Sequence, residues 1–189
     1  MKRYAFCPVC GSPLDRPAGG AAIVNLLSCG SCKFEFWQNS KPSVGAIVVR
    51  TIGGKPHVLL CRRGIEPYEG MWDLPGGYLN NGEHPEEGLL REVREELGAS
   101  LRRQKFLTVE INEYPREDVA EEARFALGLY YVCEIDTDVR LTPMDDVREA
   151  EWFPLAELPD GIAFAGNLRA LEAFKQTLAA HAQGSAPSG

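Results

Sequence analysis

Apolar side chains recur every three to four residues between positions 85 and 97, and this period predicts an amphipathic helix. Leu89, Val93 and Leu97 form one apolar stripe, which we expect to pack on a sheet. Pro85 suits the first turn of such a helix, and Gly98 is placed to end it. The face opposite the stripe is acidic, so the chemistry of this segment is expected there.

Other segments show the apolar and β-branched runs that are typical of strands. Gly53 and Gly54 join the first two of these runs and predict a hairpin. A second helical period predicts a final helix over residues 167–181, with Leu168, Leu171, Phe174 and Leu178 on its buried face. The predicted strands are residues 44–50, 57–62, 101–112, 124–135 and 151–153.

Three glutamates share the acidic face of the first predicted helix. Glu92, Glu95 and Glu96 stand at i, i+3 and i+4, so their carboxylate oxygens can converge on one hard cation. A solvated face with i,i+4 ion pairs, such as Arg91 with Glu95, is the plainer explanation of the same composition. The residues around the helix favour the metal site, because they follow a fixed frame.

The fixed positions of this frame are, in order, Gly77, Glu83, Arg91, Glu92, Glu95, Glu96 and Gly98. They resemble the Nudix box, the signature of the Nudix hydrolases. The one departure from the family pattern is Ala99, where a larger aliphatic residue is usual, and this change concerns packing rather than chemistry.

The resemblance implies an α/β protein, a Nudix α/β/α sandwich with a mixed sheet. It also implies hydrolysis of a pyrophosphate bond with Mg2+ or Mn2+ held by Glu92, Glu95 and Glu96. Arg91 then orients a carboxylate of the same cluster, and Glu83 helps to order the loop. Gly76 and Gly77 are expected to let the backbone approach metal-bound phosphate, and Gly88 to leave room for a bulky anion beside the helix; these three lack a side chain that would interfere.

The general base is less defined by the sequence, because Nudix enzymes take it either from the box or from a loop outside it. Glu92 and Glu96 are candidates within the box. Asp146 and Glu149 lie in the acidic loop before the last predicted strand, where relatives often supply another acidic ligand. We favour Asp146 over Glu149 as the residue that completes the catalytic set.

Two Cys-X-X-Cys pairs precede this domain and predict a zinc ribbon. Cys7 and Cys10 form the first pair, and Cys29 and Cys32 form the second, with eighteen residues between the pairs. Four thiolates satisfy the tetrahedral preference of Zn2+, and a segment of about forty residues buries too little core to fold without such a staple. Disulfides are the alternative, and they require an oxidising compartment.

Length and composition suit two units. The chain has 189 residues, of which 44% are hydrophobic, enough for one sizeable core and a metal-held appendage. We expect a zinc ribbon over residues 1–40, a Nudix domain over residues 41–182 and a disordered tail over residues 183–189. Cys61 and Cys133 lie within predicted strands and are expected to be buried thiols.

Charge and hydropathy indicate which binding partners and which cellular compartment to expect. Residues 1–42 carry five Lys and Arg against two Asp and Glu, within a chain of net charge −7. This small basic excess lacks clustered arginines, so the sequence does not favour nucleic acid as a partner. No apolar run has the length of a membrane span, and residues 1–14 hold no signal-peptide core, so a cytoplasmic protein without membrane partners is expected. A homodimer remains open.

A ribbon ahead of a Nudix domain resembles the NADH pyrophosphatases and the flavin-dinucleotide pyrophosphatases. Residues 36–42, 60–67 and 70–79 resemble the flavin group, whereas the Ser-Gln-Pro-Trp-Pro-Phe element of the NADH group is replaced by residues 109–115. Pro115 falls sixteen residues past the box, a position that in Nudix proteins points to ADP-ribose. The resemblance therefore implies a nucleoside diphosphate linked to another group, such as FAD, ADP-ribose or NADH.

Candidate substrate contacts lie at strand ends and in loops. Arg62 ends a strand beside the box loop and can meet phosphate or ribose, as can Arg63. Aromatic rings near predicted loops can stack on a base or an isoalloxazine, although each is equally explained by packing. These rings are Tyr68, Trp72, Tyr114 and Phe164.

Two other functions fit the same pattern. A house-cleaning NTP pyrophosphatase would release inorganic pyrophosphate instead of a mononucleotide. A non-catalytic regulator would sense a nucleotide and use the ribbon for nucleic acid or a partner protein. The regulator usually has a broken box, and the intact glutamates with Arg91 therefore favour catalysis.

Overall fold

The computed structural model describes residues 4–15, 26–37, 39–114, 124–136 and 138–184. These residues fall into two compact units, one within the first 40 residues and one that begins at Lys41. Pro115, which the substrate argument used, lies outside the described residues, as do residues 185–189 of the predicted tail.

The first unit is a three-stranded antiparallel sheet with strand order β1-β2-β3. Its small core contains Cys7, Leu14 and Cys29, each almost fully buried. A core of this size contributes little stability, which agrees with the expectation that the cysteines hold the unit together. The strands are β1 (Leu14–Asp15), β2 (Leu26–Cys29) and β3 (Glu35–Trp37).

The second unit has a seven-stranded sheet in the order β10-β5-β4-β9-β8, with β6 beside β5 and β7 beside β4. Strands β4 and β9 run parallel and the other neighbours run antiparallel, so the sheet is mixed as expected. The elements are β4 (Lys41–Ile52), β5 (Lys55–Arg63), β6 (Trp72–Asp73), β7 (Gly76–Tyr78), α1 (Pro85–Leu97), β8 (Leu101–Tyr114), β9 (Arg124–Ile135), β10 (Val147–Pro154) and α2 (Ala165–Gly184).

The two faces of the sheet pack on different helices, which gives the expected α/β/α sandwich. Leu89, Val93 and Leu97 of α1 are fully buried among side chains such as Ala46 of β4. The adjacent residue in β4, Ile47, points to the other face and packs with α2. Alternation along one strand therefore supplies both cores.

Most predicted elements are confirmed, and the differences have clear causes. Helix α1 has the predicted bounds, and Gly53 and Gly54 form the predicted hairpin turn. Strand β10 begins at Val147 rather than residue 151, because it pairs with β5 along its whole length. The prediction that Leu168 and Leu178 are buried is wrong, since they are 47% and 38% exposed.

Helix α2 buries Leu171 and Phe174, as predicted, together with Ala170. The helix runs to Gly184, into the segment predicted as a tail. Cys61 and Cys133 are buried in their strands, as predicted. Neither described helix combines the length and the apolar character that crossing a membrane requires.

Candidate active site

The ends of α1 fix the direction of its glutamates. The His84 side chain accepts a hydrogen bond from the Glu86 backbone N–H, and Gly98 closes the helix in a left-handed conformation with φ of 64°. The apolar stripe of α1 is buried against the sheet, so the glutamate side faces the loop that contains β7. Glu92 and Glu96 are nevertheless buried, whereas Glu95 is exposed.

Arg91 binds three carboxylates at once. Its Nε and Nη2 donate to the two oxygens of Glu83 at 2.8 and 2.9 Å. Its Nη1 donates to Glu92 Oε1 at 2.7 Å and to Glu95 Oε2 at 2.9 Å, and Nη2 also donates to the Tyr78 carbonyl at 3.1 Å. Charge-assisted, bidentate contacts of this kind hold side chains in defined orientations.

Glu83 anchors the loop ahead of the helix. Besides its two bonds from Arg91, it accepts a hydrogen bond from the Asn80 backbone N–H at 2.8 Å. The Arg91 side chain, and then the Asn80 backbone, lower the pKa of Glu83 to about 2. Glu83 is therefore ionised at neutral pH and ties the loop to α1.

The two glycines of β7 lie against the glutamates and the central strand. The Gly76 N–H donates to Glu96 Oε2 at 2.9 Å. A Cβ at Gly76 would lie 2.1 Å from the Val44 carbonyl oxygen, and one at Gly77 would lie 2.7 Å from the Glu92 carboxylate. Gly76 is thus required by a backbone contact inside the protein, whereas a side chain at Gly77 would force the Glu92 carboxylate to move.

Gly88 also has a different reason from the one predicted. A Cβ there would lie 2.3 Å from Leu79 Cδ2 and 3.1 Å from Glu83 Oε2. The space beside Gly88 is therefore occupied by this chain's own loop, so the prediction that it accommodates an anion is wrong. Glycine at this position lets the Glu83 loop pack closely on α1.

We expect Gly76→Ala to destabilise the second unit by about 2 kcal/mol more than Gly53→Ala, because overpacking against backbone costs about 1–3 kcal/mol. Both glycines have positive φ, 145° at Gly76 and 57° at Gly53, but a Cβ at Gly53 meets no atom within 4 Å. Urea unfolding followed by tryptophan fluorescence measures the difference. Equal destabilisation by the two variants would contradict the close approach to Val44.

The three box glutamates are held by partners within the protein. Arg91 binds Glu92 and Glu95, and the Gly76 N–H binds Glu96. Their convergence on one cation stays a prediction. Burial raises the pKa of Glu96 well above its usual value, and Asp146 and Glu92 add to this effect. Burial likewise raises the pKa of Glu92.

This arrangement fits a divalent cation chemically. The donors are hard carboxylate oxygens on one helix face, and a bound cation would offset both the burial and the mutual repulsion that raise these pKa values. Because ligands must be deprotonated, the same burial links cation binding to proton release.

The two candidate acids near the last strand differ in their surroundings, with Asp146 in the loop before β10 and Glu149 within β10 itself. Asp146 raises the pKa of both Glu92 and Glu96 through its charge. Glu149 instead pairs with Arg62, with Oε2 3.3 Å from Arg62 Nε. The Arg62 guanidinium also lies over Trp72, 4.8 Å from the ring centre. Arg62 therefore has partners within the protein.

Aromatic side chains from two strand ends and two loops meet beside β7. The Tyr114 ring lies 4.5 Å from that of Phe164 and 5.8 Å from that of Tyr78, between ring centres. Tyr68 contacts Phe164 edge to face at 5.0 Å, and the Arg63 guanidinium lies 5.0 Å from the Phe164 ring. We call Tyr68, Tyr78, Tyr114 and Phe164 the aromatic cluster.

Tyr68, Tyr114 and Phe164 are among the aromatic candidates predicted from the sequence, and Tyr78 is not. The position of Tyr78 directly after Gly77 in the box loop is the sequence feature that points to it as a further candidate. Trp72, also a candidate, packs against Phe153 at 4.8 Å instead. Arg63 rather than Arg62 contacts the cluster. Burial and the neighbouring Tyr78 raise the pKa of Tyr114, so its hydroxyl stays protonated.

The four cysteines of the first unit form a compact group of thiols. Their sulfurs all lie within 4.8 Å of one another, with the Cys7–Cys32 and Cys10–Cys29 pairs at 3.5 Å. Sulfurs around a tetrahedral zinc with bonds of about 2.3 Å are about 3.8 Å apart. None of the four is in a disulfide, and the Ser12 backbone lowers the pKa of Cys10 to about 6. The group fits Zn2+.

A family model described as the NUDIX domain matches residues 39–174 of this chain. Among curated proteins, a NAD-capped RNA hydrolase NudC of Stutzerimonas stutzeri is 26% identical over 84% of this chain and 51% of its own length. An ADP-ribose pyrophosphatase of Methanocaldococcus jannaschii is 31% identical over 54% of this chain and 57% of its own. The chain thus spans about half the length of these curated relatives.

Solved structures share the fold. A NUDIX hydrolase from Nitrosomonas europaea has a TM-score of 0.67 and 26% identity, covering 90% of each chain. The NUDIX domain of Shewanella oneidensis NrtR, crystallised with ADP ribose, has a TM-score of 0.62 and 22% identity over 75% of this chain and 90% of its own. The second similarity concerns the fold alone.

Proposed function

Because the chain belongs to the Nudix family, we propose that it is a metal-dependent pyrophosphohydrolase acting on a nucleoside diphosphate linked to a second group. The observation that carries this proposal is the network in which Arg91 of α1 binds Glu83 of the preceding loop together with Glu92 and Glu95 of the helix. A solvated helix face does not require such an ordered group of carboxylates, because surface ion pairs contribute little to stability.

In this proposal Glu92, Glu95 and Glu96 hold Mg2+ or Mn2+. When bound, the cation stabilises the negative charge that develops on the phosphate oxygens during attack by water. The protein residues position the reactants. Arg91 and Glu83 hold the glutamates and the box loop in fixed positions, and Gly76 holds Glu96 through its N–H.

Asp146 is the general base that we favour in this site. The support is electrostatic, because the charge of Asp146 raises the pKa values of Glu92 and Glu96. Glu149 is held by Arg62. An acid adjacent to the metal ligands can accept the proton of the attacking water.

The aromatic cluster supports a substrate with a planar ring. Aromatic side chains bind bases by stacking, worth about 1–3 kcal/mol per base in nucleic-acid complexes. ADP-ribose and NAD, named in the descriptions of relatives, both contain adenosine diphosphate joined to another group. FAD has the same linkage. We propose that Tyr114 and its neighbours receive the ring while Gly76 and Gly77 line the phosphate side.

The experiment that tests the function is a substrate panel with Mg2+ or Mn2+, resolved by chromatography. It contains ADP-ribose, FAD, NADH, NAD, diadenosine polyphosphates and NTPs. We expect AMP from one of the dinucleotide-type substrates. Inorganic pyrophosphate from an NTP would favour the house-cleaning reaction, and binding without turnover would favour a nucleotide sensor.

Tyr114→Leu is expected to raise KM for the preferred substrate about tenfold with a smaller change in kcat, because it removes one stacking surface. Phe106→Leu is the matched control. It is another aromatic residue of β8, and its ring contacts Tyr131 rather than the aromatic cluster. Equal KM values in the two variants would remove Tyr114 from the proposed substrate contacts.

We also propose that the four clustered cysteines hold a structural Zn2+. The support is the chemistry and spacing of the donors, four thiols within 4.8 Å in a unit with a very small core.

A further inference from the structure

Two bulky residues of the aromatic cluster have backbone conformations that such residues rarely adopt. Tyr68 has φ of 66° and Phe164 has φ of 60°. The left-handed region costs a residue with a side chain about 1–2 kcal/mol, and this strain persists where surrounding contacts enforce it. The two residues lie on separate loops, yet their rings meet edge to face. Contacts from outside each loop therefore hold Tyr68 and Phe164 in these conformations.

Asp73, in β6, contacts both loops through intermediaries. Its Oδ2 accepts a hydrogen bond from Arg63 Nη1 at 2.7 Å. Its Oδ1 accepts one from the Leu74 N–H at 2.8 Å and another from Asn167 Nδ2. The side chain is only 13% exposed, and burial raises the pKa of Asp73 to about 6 against the opposing effect of Arg63.

The Arg63 contact leads to Tyr68. Arg63 Nε donates to the Pro67 carbonyl at 2.8 Å, immediately before Tyr68 in the chain. The same guanidinium lies 5.0 Å from the Phe164 ring. A guanidinium whose donors are fixed at one end by Asp73 and at the other by Pro67 has little rotational freedom. The guanidinium contacts the Phe164 ring and holds the loop that carries Tyr68.

The Asn167 contact leads to Phe164. Asn167 Nδ2 also donates to the Ala163 carbonyl at 3.0 Å, and its backbone N–H donates to the Phe164 carbonyl at 3.1 Å. The orientation of the Asn167 amide is fixed on its other side, because its Oδ1 accepts from the Tyr130 hydroxyl at 2.6 Å. Its Nδ2 is therefore the group available to Asp73.

Tyr130 is itself fixed. Its hydroxyl accepts from Asn112 Nδ2 at 2.7 Å. Its ring leaves no room for a side chain at Gly45 or Gly128, where a Cβ would lie 2.7 and 2.9 Å from ring atoms. The buried network thus runs from β8 through β9 and α2 to Asp73 with each donor and acceptor assigned.

From these contacts we propose that Asp73 is a positioning residue that holds Tyr68 and Phe164 together as the surface that receives the planar ring of the nucleotide. The inference rests on the proposed function, since it concerns the ring-binding part of that site. Asp73 does not touch the substrate. One carboxylate fixes two loops, which explains why two strained aromatic residues face each other.

The test compares the binding of AMP, which has a ring, with that of ribose 5-phosphate, which has none, by calorimetry in the presence of Mn2+. For Asp73→Asn we expect the Kd of AMP to rise about tenfold, because one stacking contact is lost. We expect the Kd of ribose 5-phosphate to change less than about twofold. The amide presents donors to Arg63 or to Asn167, so one of the two loops is released. Arg169→Gln is the control, because it breaks an exposed pair between α2 and Glu110.

Equal weakening of both ligands by Asp73→Asn would show a purely structural role and overturn the proposal. A second variant, Arg63→Lys, keeps the charge beside Asp73 but loses the Nε bond to Pro67. It is expected to reproduce the selective loss of AMP affinity, and it decides the question if Asp73→Asn does not fold. If the unmodified protein binds AMP no better than ribose 5-phosphate, the proposed function loses its ring site and this proposal falls with it. A wild-type preference that both variants retain overturns the role of Asp73 alone.

Discussion

The Glu95→Gln variant is expected to lose about a hundredfold or more in kcat while it keeps the stability of the unmodified protein. A metal ligand contributes several kcal/mol of charge stabilisation in the transition state, and each 1.36 kcal/mol corresponds to about a tenfold change in rate. Glu95 is half exposed and contacts Arg91 through one oxygen at 2.9 Å. Glutamine keeps the shape and that acceptor, so the change removes mainly the negative charge.

Glu87→Gln is the matched control, because Glu87 is an exposed glutamate in the first turn of the same helix. It should retain full turnover. Binding of Mn2+, measured by electron paramagnetic resonance, provides a second quantity that does not depend on the substrate. Weaker Mn2+ binding by Glu95→Gln alone is expected. Undiminished turnover with normal metal dependence in that variant would contradict the metal site on α1.

The helix and its charged face could be predicted from the sequence because local spacing determines both. Pro85 and Gly98 predicted the bounds of α1, and Arg91 has four hydrogen-bonded neighbours that include three box carboxylates. The same reasoning failed for the glycines. A residue without a side chain makes room, but the sequence cannot tell whether substrate or the protein occupies that room. At Gly88 it is Leu79.

The contacts that could not be predicted from the sequence join residues that are far apart in the chain. Tyr68, Tyr114 and Phe164 are far apart in the chain, and only the sheet order and the start of α2 bring them together. Asp73 had no distinguishing feature in the sequence. Its importance comes from Asn167, 94 positions later. Leu168 fitted a helical period but is 47% exposed, because α2 packs through Ala170, Leu171 and Phe174.

Sequence and structure agree best where one element holds the residues concerned. Helix α1 needs only its own residues and the loop before it, so its bounds and the positions of its carboxylates follow from spacing. The proposed ring site draws on four segments of the chain, and there the sequence predicted the kinds of residue but not the partners. For this reason the substrate panel and the AMP comparison test the part of the site that the sequence determines least.

The Cys29→Ser variant is expected to lose its zinc and to unfold the first unit, whereas the second unit keeps its structure. A structural zinc site supplies about 10–16 kcal/mol of binding free energy that is also folding free energy. The described part of the first unit buries four hydrophobic side chains, Cys7, Leu14, Leu26 and Cys29, and two of them are cysteines of the cluster. Within these described residues no other contribution is large enough to replace the proposed metal, because so little apolar surface is buried there.

Zinc content by mass spectrometry and hydrogen exchange across residues 4–37 measure this outcome in the full chain. Cys133→Ser is the matched control, since it makes the same chemical change at a buried cysteine of β9 outside the cluster. We expect that control to keep one zinc per chain and the exchange protection of β2 and β3, even though it lowers the stability of the second unit. Full zinc content and unchanged protection in Cys29→Ser would mean that the four thiols do not act as one tetrahedral site, and the small core would then need another source of stability.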